Sequence, residues 1–213
     1  QDLANLERNK TEPTFIASRK IGQINQRYPK GHPLYRMTLN EEIQAIKDVD
    51  TDKMQEYFNN HYGISDNASL IAIGNINEQE LKDYFEKEFG NFKSKHSFTP
   101  ISNSFKANKP TNESIVTPDK KNAFTTGSLN FNASQDDEDY AALQMAGSIF
   151  GGGFLNSRIA SRLRQKDGVS YGAGGGVSVD GSKKDKNSAM FIYAFYAPQN
   201  SVKVQIGFEE EIA

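Results

Sequence analysis

Between Gly151 and Gly176 the chain reads GGGFLNSRIASRLRQKDGVSYGAGGG, and few backbone shapes satisfy such a run. Glycines break it at the start, a helical stretch follows, Gly168 breaks it again, and a tyrosine leads into a glycine-rich strand. Within the helical part Leu155, Ile159 and Leu163 recur at every fourth residue and predict one apolar face. Arg158 and Arg162 share a different face, with Arg164 about 100° round from Leu163. Gly168 suits the left-handed residue that ends many helices, a turn that brings Tyr171 back towards the arginines. Arginines, a tyrosine and bare backbone at one helix end form a place where an extended peptide can be held. Taken alone, the same residues read more readily as a solvated arginine face and a tyrosine packed at a strand start.

The flanking segments predict a mixture of helices and strands. Asn40 is a candidate cap for a helix EEIQAIKDV, and Thr51 for a second helix in which Met54, Tyr57, Phe58 and His61 share a face before Gly63 closes it. Ser69 to Ile73, an apolar run ending at Gly74, reads as a buried strand, and Asn77 with Glu80 resembles a capping box for a helix through Phe89. Residues 1–39 have weak periodicity, and RYPKGHPLYR is an irregular connection. After a linker rich in Ser, Asn, Lys, Thr and Pro come a strand at Glu113 to Thr117 and a clearer one at Ala123 to Ala133. In the latter, Ala123, Thr125, Gly127, Leu129 and Phe131 fall on one face. QDDED starts a helix with Tyr140, Leu143 and Ile149 inward. Val177 and Val179 end one strand, GSKKDKN turns, and AMFIYAFYA returns as another. The sum is an α+β fold, a two-layer antiparallel sheet with helices on one face.

Composition narrows the chemistry. Hydrophobic residues at 36% with 14 Phe supply a core, and a net charge of -2 offers no basic surplus for nucleic acid. No apolar run approaches the roughly 20 residues that cross a bilayer. With no Cys, disulfides, thiolate zinc sites and thiol nucleophiles are excluded. His32, His61 and His96 lack the spacing that sets two ligands on one helix face, so each reads as structural. Gly172, Gly174 and Gly176 follow a helix and lie in a strand, the reverse of a nucleotide-binding loop. They suit a bulge or the close approach of another backbone. No nucleophile-elbow pattern is present, QDDED reads as a solvated helix start, and KKDK at 183–186 as a hairpin tip.

The run from Gly151 to Gly172 also closely resembles the pitrilysin/insulinase family of zinc peptidases, whose metal motif is the inverted H-x-x-E-H. The signature of that family's non-metal half is matched by Ser157, Arg158 and Ile159, then Leu163 and Arg164, then Gly168, Val169, Ser170 and Tyr171, with Ile159 and Val169 standing where Leu is usual. HPLYR, SLIAIGNI, the FGNF helix end, TPDKKNA, DEDYAALQMAGSIFGGG and YAPQN extend the likeness over about nine tenths of the chain, and it is strongest to large secreted bacterial members.

The resemblance implies metalloprotease (LuxS/mitochondrial processing peptidase-like) domains, two halves of which close around a chamber. It implies that Arg164 and Tyr171 contact the substrate peptide and stabilise charge on a carbonyl oxygen, with Gly172 and Gly174 offering backbone beside it. Peptide or unfolded polypeptide is the implied substrate, the remaining halves of the parent chain are the implied partners, and the periplasm or the outside of the cell is the implied location. Zinc is implied for the parent protein. No H-x-x-E-H occurs here, so no metal ligand carries over to these residues and this chain alone is expected to be inactive. The rival expectations are a non-catalytic structural or assembly subunit of the same fold, or a peptide-binding adaptor. The start at Gln1 and the run Glu209–Glu211 in a last helical turn lead to the expectation of a fragment whose final helix continues. Residues 1–97 are then expected to close one domain, 98–108 to link, and 109–213 to open the next.

Overall fold

A computed structural model of the chain describes residues 2–64, 69–153 and 155–213. Contacts divide it into two compact units, residues 1–43 with 102–213, and residues 44–101.

The larger unit is built on three strands. Alternation of the kind expected at Ala123 gives β1 (Ala123–Asn132), and β-branched and aromatic residues give β3 (Asn187–Tyr196). With β2 (Ser170–Ser178) they form an antiparallel sheet in the order β1-β3-β2. One face carries Ala123 opposite Tyr196, Thr125 opposite Ala194 and Gly127 opposite Ile192, which is the face read from the sequence. Over it lie α6 (Tyr140–Gly147), the short α7 (Arg158–Ala160) and α8 (Ser201–Ile212). Phe150, Ile159, Leu163, Val169, Ala173, Ala194, Tyr196, Val204 and Phe208 make the core between the layers. The architecture is α+β.

Two π-helical turns carry residues of that core. Ser148–Gly152 continues α6, and Ser161–Lys166 continues α7. Phe150, seven residues beyond Leu143 and so on its face, is buried, whereas Ile149, expected inward, lies off that face and is exposed. Leu155, expected on the same stripe as Ile159 and Leu163, lies in a turn before α7 and is exposed, while those two are wholly buried. In α8 the buried residues are Val204, Gly207 and Phe208, with Val202 and Ile206 outside.

Residues 2–24, where no helix was expected, form α1 (Asp2–Asn9) and α2 (Pro13–Ile24). Pro13 starts α2 from a position where a missing N–H costs nothing. The Asn25 amide donates to the Ser128 hydroxyl of β1 at 3.3 Å. The strand expected at Glu113 to Thr117 does not form; Glu113 instead pairs with Lys20 of α2 at 2.8 Å. The hairpin tip is more than a solvated turn: the Asp185 carboxylate accepts from the Asn103 N–H at 2.8 Å and the Ser102 hydroxyl at 2.6 Å, fastening the incoming segment.

The helix α3 (Leu39–Asp48) begins two residues earlier than an Asn40 cap requires. Thr38 is the cap: its hydroxyl accepts from the Glu41 N–H at 3.3 Å, and the Glu41 carboxylate accepts from the Thr38 N–H at 2.9 Å, a reciprocal capping box. Lys30 at 2.8 Å and the Tyr35 hydroxyl at 3.0 Å complete the shell around this carboxylate. The Lys30 ammonium first, then the Thr38 N–H and the Tyr35 hydroxyl, hold the Glu41 carboxyl at about 2 against an ordinary 4.5. A depressed carboxyl stabilises the fold above its unfolded value and loses that contribution as pH falls through the folded one. The start of α3 is therefore expected to loosen between pH 4.5 and about 2. NMR titration of Glu41 together with the Thr38 amide is the check, and a Glu41 midpoint near 4.5 would refute the cap.

In the smaller unit, α4 (Thr51–His61) is capped by Asp50 rather than Thr51, with the Asp50 carboxylate accepting from Lys53 N–H at 2.8 Å. Asn77 caps α5 (Glu78–Phe89) as expected, accepting from Gln79 N–H at 3.0 Å and Glu80 N–H at 3.3 Å. The buried strand expected at Ser69 to Ile73 is absent, and Ile71 and Ile73 are 82% and 94% exposed. A strand needs a neighbour for its backbone N–H and C=O groups. Among the described residues this run has none.

Candidate functional site

The site suggested by the sequence lies where the Ser161–Lys166 turn ends and β2 begins. Ser157 starts the helix, its hydroxyl accepting from the Ala160 N–H at 3.3 Å. The π geometry shows in Asp167 N–H, which donates five residues back to the Arg162 carbonyl at 3.0 Å. Gly168 then adopts φ +62, the left-handed conformation expected of it. Val169 N–H reaches back to the Leu163 carbonyl at 3.0 Å, so the chain leaving the helix folds onto the turn that carries Arg164.

The arginines divide by partner. Arg158 pairs with Glu211 at 2.9 Å, and Arg162 lies 2.9 Å from Asp167 and 2.5 Å from Glu210. The contacts to Glu210 and Glu211 neutralise carboxylates at the end of α8, where the helix dipole disfavours negative charge. The acidic run is thus compensated within the chain. Arg164 is exposed, and among the described residues nothing pairs with its guanidinium.

Tyr171 is 60% exposed, its ring stacked on Phe195 with centroids 5.6 Å apart. It stands at an irregularity in β2: Ser170 faces Tyr196 and Gly172 faces Phe195, which leaves Tyr171 as an extra residue. This is the bulge for which the glycines were read as suited. The close backbone approach is present as well. A Cβ built on Gly151 would lie 2.3 Å from the Gly175 nitrogen, so the π turn after α6 rests directly on the strand. Gly172 lies beneath the edge of Phe195, and the space above Gly174 is taken by the Tyr193 hydroxyl and the Gly151 carbonyl.

Sequence reasoning singled out Arg164 and Tyr171 and passed over Arg162 and Ser170. Arg162 is distinguishable only once α8 is seen to return beside it. Ser170 had a local signal, a small hydroxyl residue immediately before the tyrosine in GVSYG.

Metal chemistry does not fit these residues. His61 and His96 lie with ring centroids 5.0 Å apart and planes tilted by 31°, and among the described residues no cluster of His, Asp or Glu could hold an ion. No described helix is long and apolar enough to cross a membrane.

The fold is shared with solved proteins. The chain superposes on a peptidase M16 inactive domain from Pseudomonas fluorescens with a TM-score of 0.71 at 18% identity, covering 98% of this chain and 48% of that one. A conserved protein from Enterococcus faecalis V583 gives 0.62 at 18% identity over 98% of this chain and 46% of that one. A protease from Helicobacter pylori gives 0.64 at 15% identity, with 94% and 48% covered. The chain therefore spans about half the length of each of these solved chains. No curated protein sequence matches it. The model of the peptidase M16 inactive domain matches residues 48–213, and with the α+β sheet, the glycine-packed π turn and the Arg164–Tyr171 segment described, the chain belongs to the peptidase M16 family.

Proposed function

We propose that this chain is the substrate-binding, non-metal portion of a zinc metalloendopeptidase that degrades peptides in a closed chamber. The observation that carries the reading is the division among the arginines: Arg158 and Arg162 are spent on α8, while Arg164 stays exposed on the turn that feeds the exposed Tyr171. A guanidinium and a phenol are donors suited to the backbone carbonyl of a bound peptide, and they stabilise charge that develops on its oxygen. Gly172 follows Tyr171 as bare backbone, so no side chain of its own obstructs an approaching strand, whereas Gly174 is covered by the Tyr193 hydroxyl and the Gly151 carbonyl. Zinc and its ligands belong to the remainder of the full-length protein, which is also this chain's partner. In this reading residues 1–97 close one domain, 98–108 link, 109–213 open the next, and the protein works in the periplasm or outside the cell.

The test is peptidase activity of the full-length protein with zinc. Arg164→Ala and Tyr171→Phe are each expected to lower kcat/KM about 10²-fold, the usual cost of one such donor, while this chain alone stays inactive. A full-length protein that neither binds zinc nor cleaves peptides would leave a structural or assembly subunit. Cleavage unaffected by both substitutions would remove these residues from the site.

A further inference from the structure

Along β2, Ser170 is buried opposite Tyr196 and Ala173 is buried opposite Ala194. Core-facing residues of a regular strand are separated by even numbers, yet these two are three apart. One residue must leave the ladder to keep both inside, and that residue is Tyr171. A bulge frees backbone groups that the ladder would otherwise pair. Here one side chain meets them: the Ser170 hydroxyl donates to the Phe195 carbonyl at 2.8 Å and accepts from the Gly172 N–H at 3.2 Å. It ties β2 to β3 on one side and spans Tyr171 on the other. The segment is secured from behind by the Asn200 amide, which donates to the Val169 carbonyl at 3.3 Å.

We propose that Ser170 is the positioning residue for Tyr171: its hydroxyl closes the bulge that turns the phenol out of the sheet and seats the ring against Phe195. The proposal rests on Tyr171 being a substrate contact. An alanine at 170 keeps the size and removes both hydrogen bonds, so the Gly172 N–H and the Phe195 carbonyl lose their shared partner. The strand cannot answer by slipping one residue, because that would carry Ala173, Gly175 and Val177 off the core face. It loosens locally instead, and Tyr171 loses its fixed place.

The experiment uses the full-length protein, with cleavage of an internally quenched peptide and fluorotyrosine NMR as separate readouts. Ser170→Ala is expected to lower kcat about tenfold with little change in KM, because a donor displaced by an ångström serves the transition state poorly. Ser170→Thr, which keeps the hydroxyl, is expected to retain activity within about twofold. In a Tyr171→Phe background, Ser170→Ala is expected to cost nothing further, since residues acting through one another are not additive. The Tyr171 resonance, assigned by its loss in Tyr171→Phe, is expected to move in Ser170→Ala towards the position of a freely rotating ring and to stay in place in Ser170→Thr. Undiminished activity in Ser170→Ala, an equal loss in both backgrounds, an unmoved resonance, or failure of threonine to rescue would overturn the positioning role. If Tyr171→Phe is fully active, the substrate-contact reading fails first and this proposal fails with it.

Discussion

Gly151→Ala is expected to destabilise the chain by about 3 kcal/mol, read as a lowered midpoint of urea unfolding followed by circular dichroism. The added Cβ would lie 2.3 Å from the Gly175 nitrogen, 2.5 Å from its Cα and 2.6 Å from its carbonyl carbon. None of those atoms can swing aside as a side-chain end would, because Gly175 is paired with Ile192 in the sheet. Either the π turn lifts off β2 or the strand leaves β3. Each route opens a gap beside Phe150, which the same turn carries into the core. Gly152→Ala is the control one residue away. Its Cβ would come no nearer than 3.4 Å to the Gly147 carbonyl oxygen, an ordinary contact, and the change is expected to stay within about 0.5 kcal/mol. Equal stability of the two variants would mean that the helix layer does not rest on the strand backbone.

The same glycines show how far residue patterns reach. That GAGGG belongs in a strand and accepts a bulge or a close backbone follows from glycine having no side chain. Which backbone arrives does not follow, because it depends on Gly151 across the layer. Strands with a partner inside the chain were legible: AMFIYAFYA and the alternation from Ala123 to Phe131 reappear as β3 and β1. SLIAI carries an equally strong apolar signal and forms no strand, since a run of residues states that it can pair but not with what. The inner face of α6 was misread at its end: Phe150, seven residues after Leu143, keeps the helical period and is buried, whereas Ile149 breaks it and is exposed. Caps missed by a residue or two where two candidates compete. Thr38 prevails over Asn40 because only Thr38 has Glu41 at the third position to return the hydrogen bond. At the candidate site, Arg164, Gly168 and Tyr171 were singled out from the sequence, and the left-handed turn at Gly168 and the bulge at Tyr171 are present in the fold. The hydroxyl that closes the bulge and the glutamates that occupy the other arginines required the fold.

Leu163→Ala is expected to cost about 3–4 kcal/mol, within the range for a buried leucine whose cavity cannot collapse. By sequence Leu155, Ile159 and Leu163 are equivalent steps of one stripe, yet Leu163 is wholly buried and Leu155 is 44% exposed. Leu163 fills the space left open by a glycine: a Cβ on Gly207 of α8 would stand 2.5 Å from its Cδ2. The surroundings are tied down, with Arg162 bound to Glu210 on one side and Val169 N–H bonded to the Leu163 carbonyl on the other. Little can move in to fill the void, so the estimate belongs above the lower end of that range. Leu155→Ala, made in parallel, is expected to cost less than about 1 kcal/mol, because much of that side chain already meets water. Unfolding midpoints of the pair measure the difference, and equal losses would refute the packing of α8 on the π turn. Leu163 also adjoins Arg164 in the chain and anchors the return towards Tyr171. On the proposed function, Leu163→Ala in the full-length protein is accordingly expected to lose peptidase activity at temperatures where it is still folded, while Leu155→Ala does not. Separate loss of activity and of structure in one variant would join the core of this domain to the presentation of its two exposed donors.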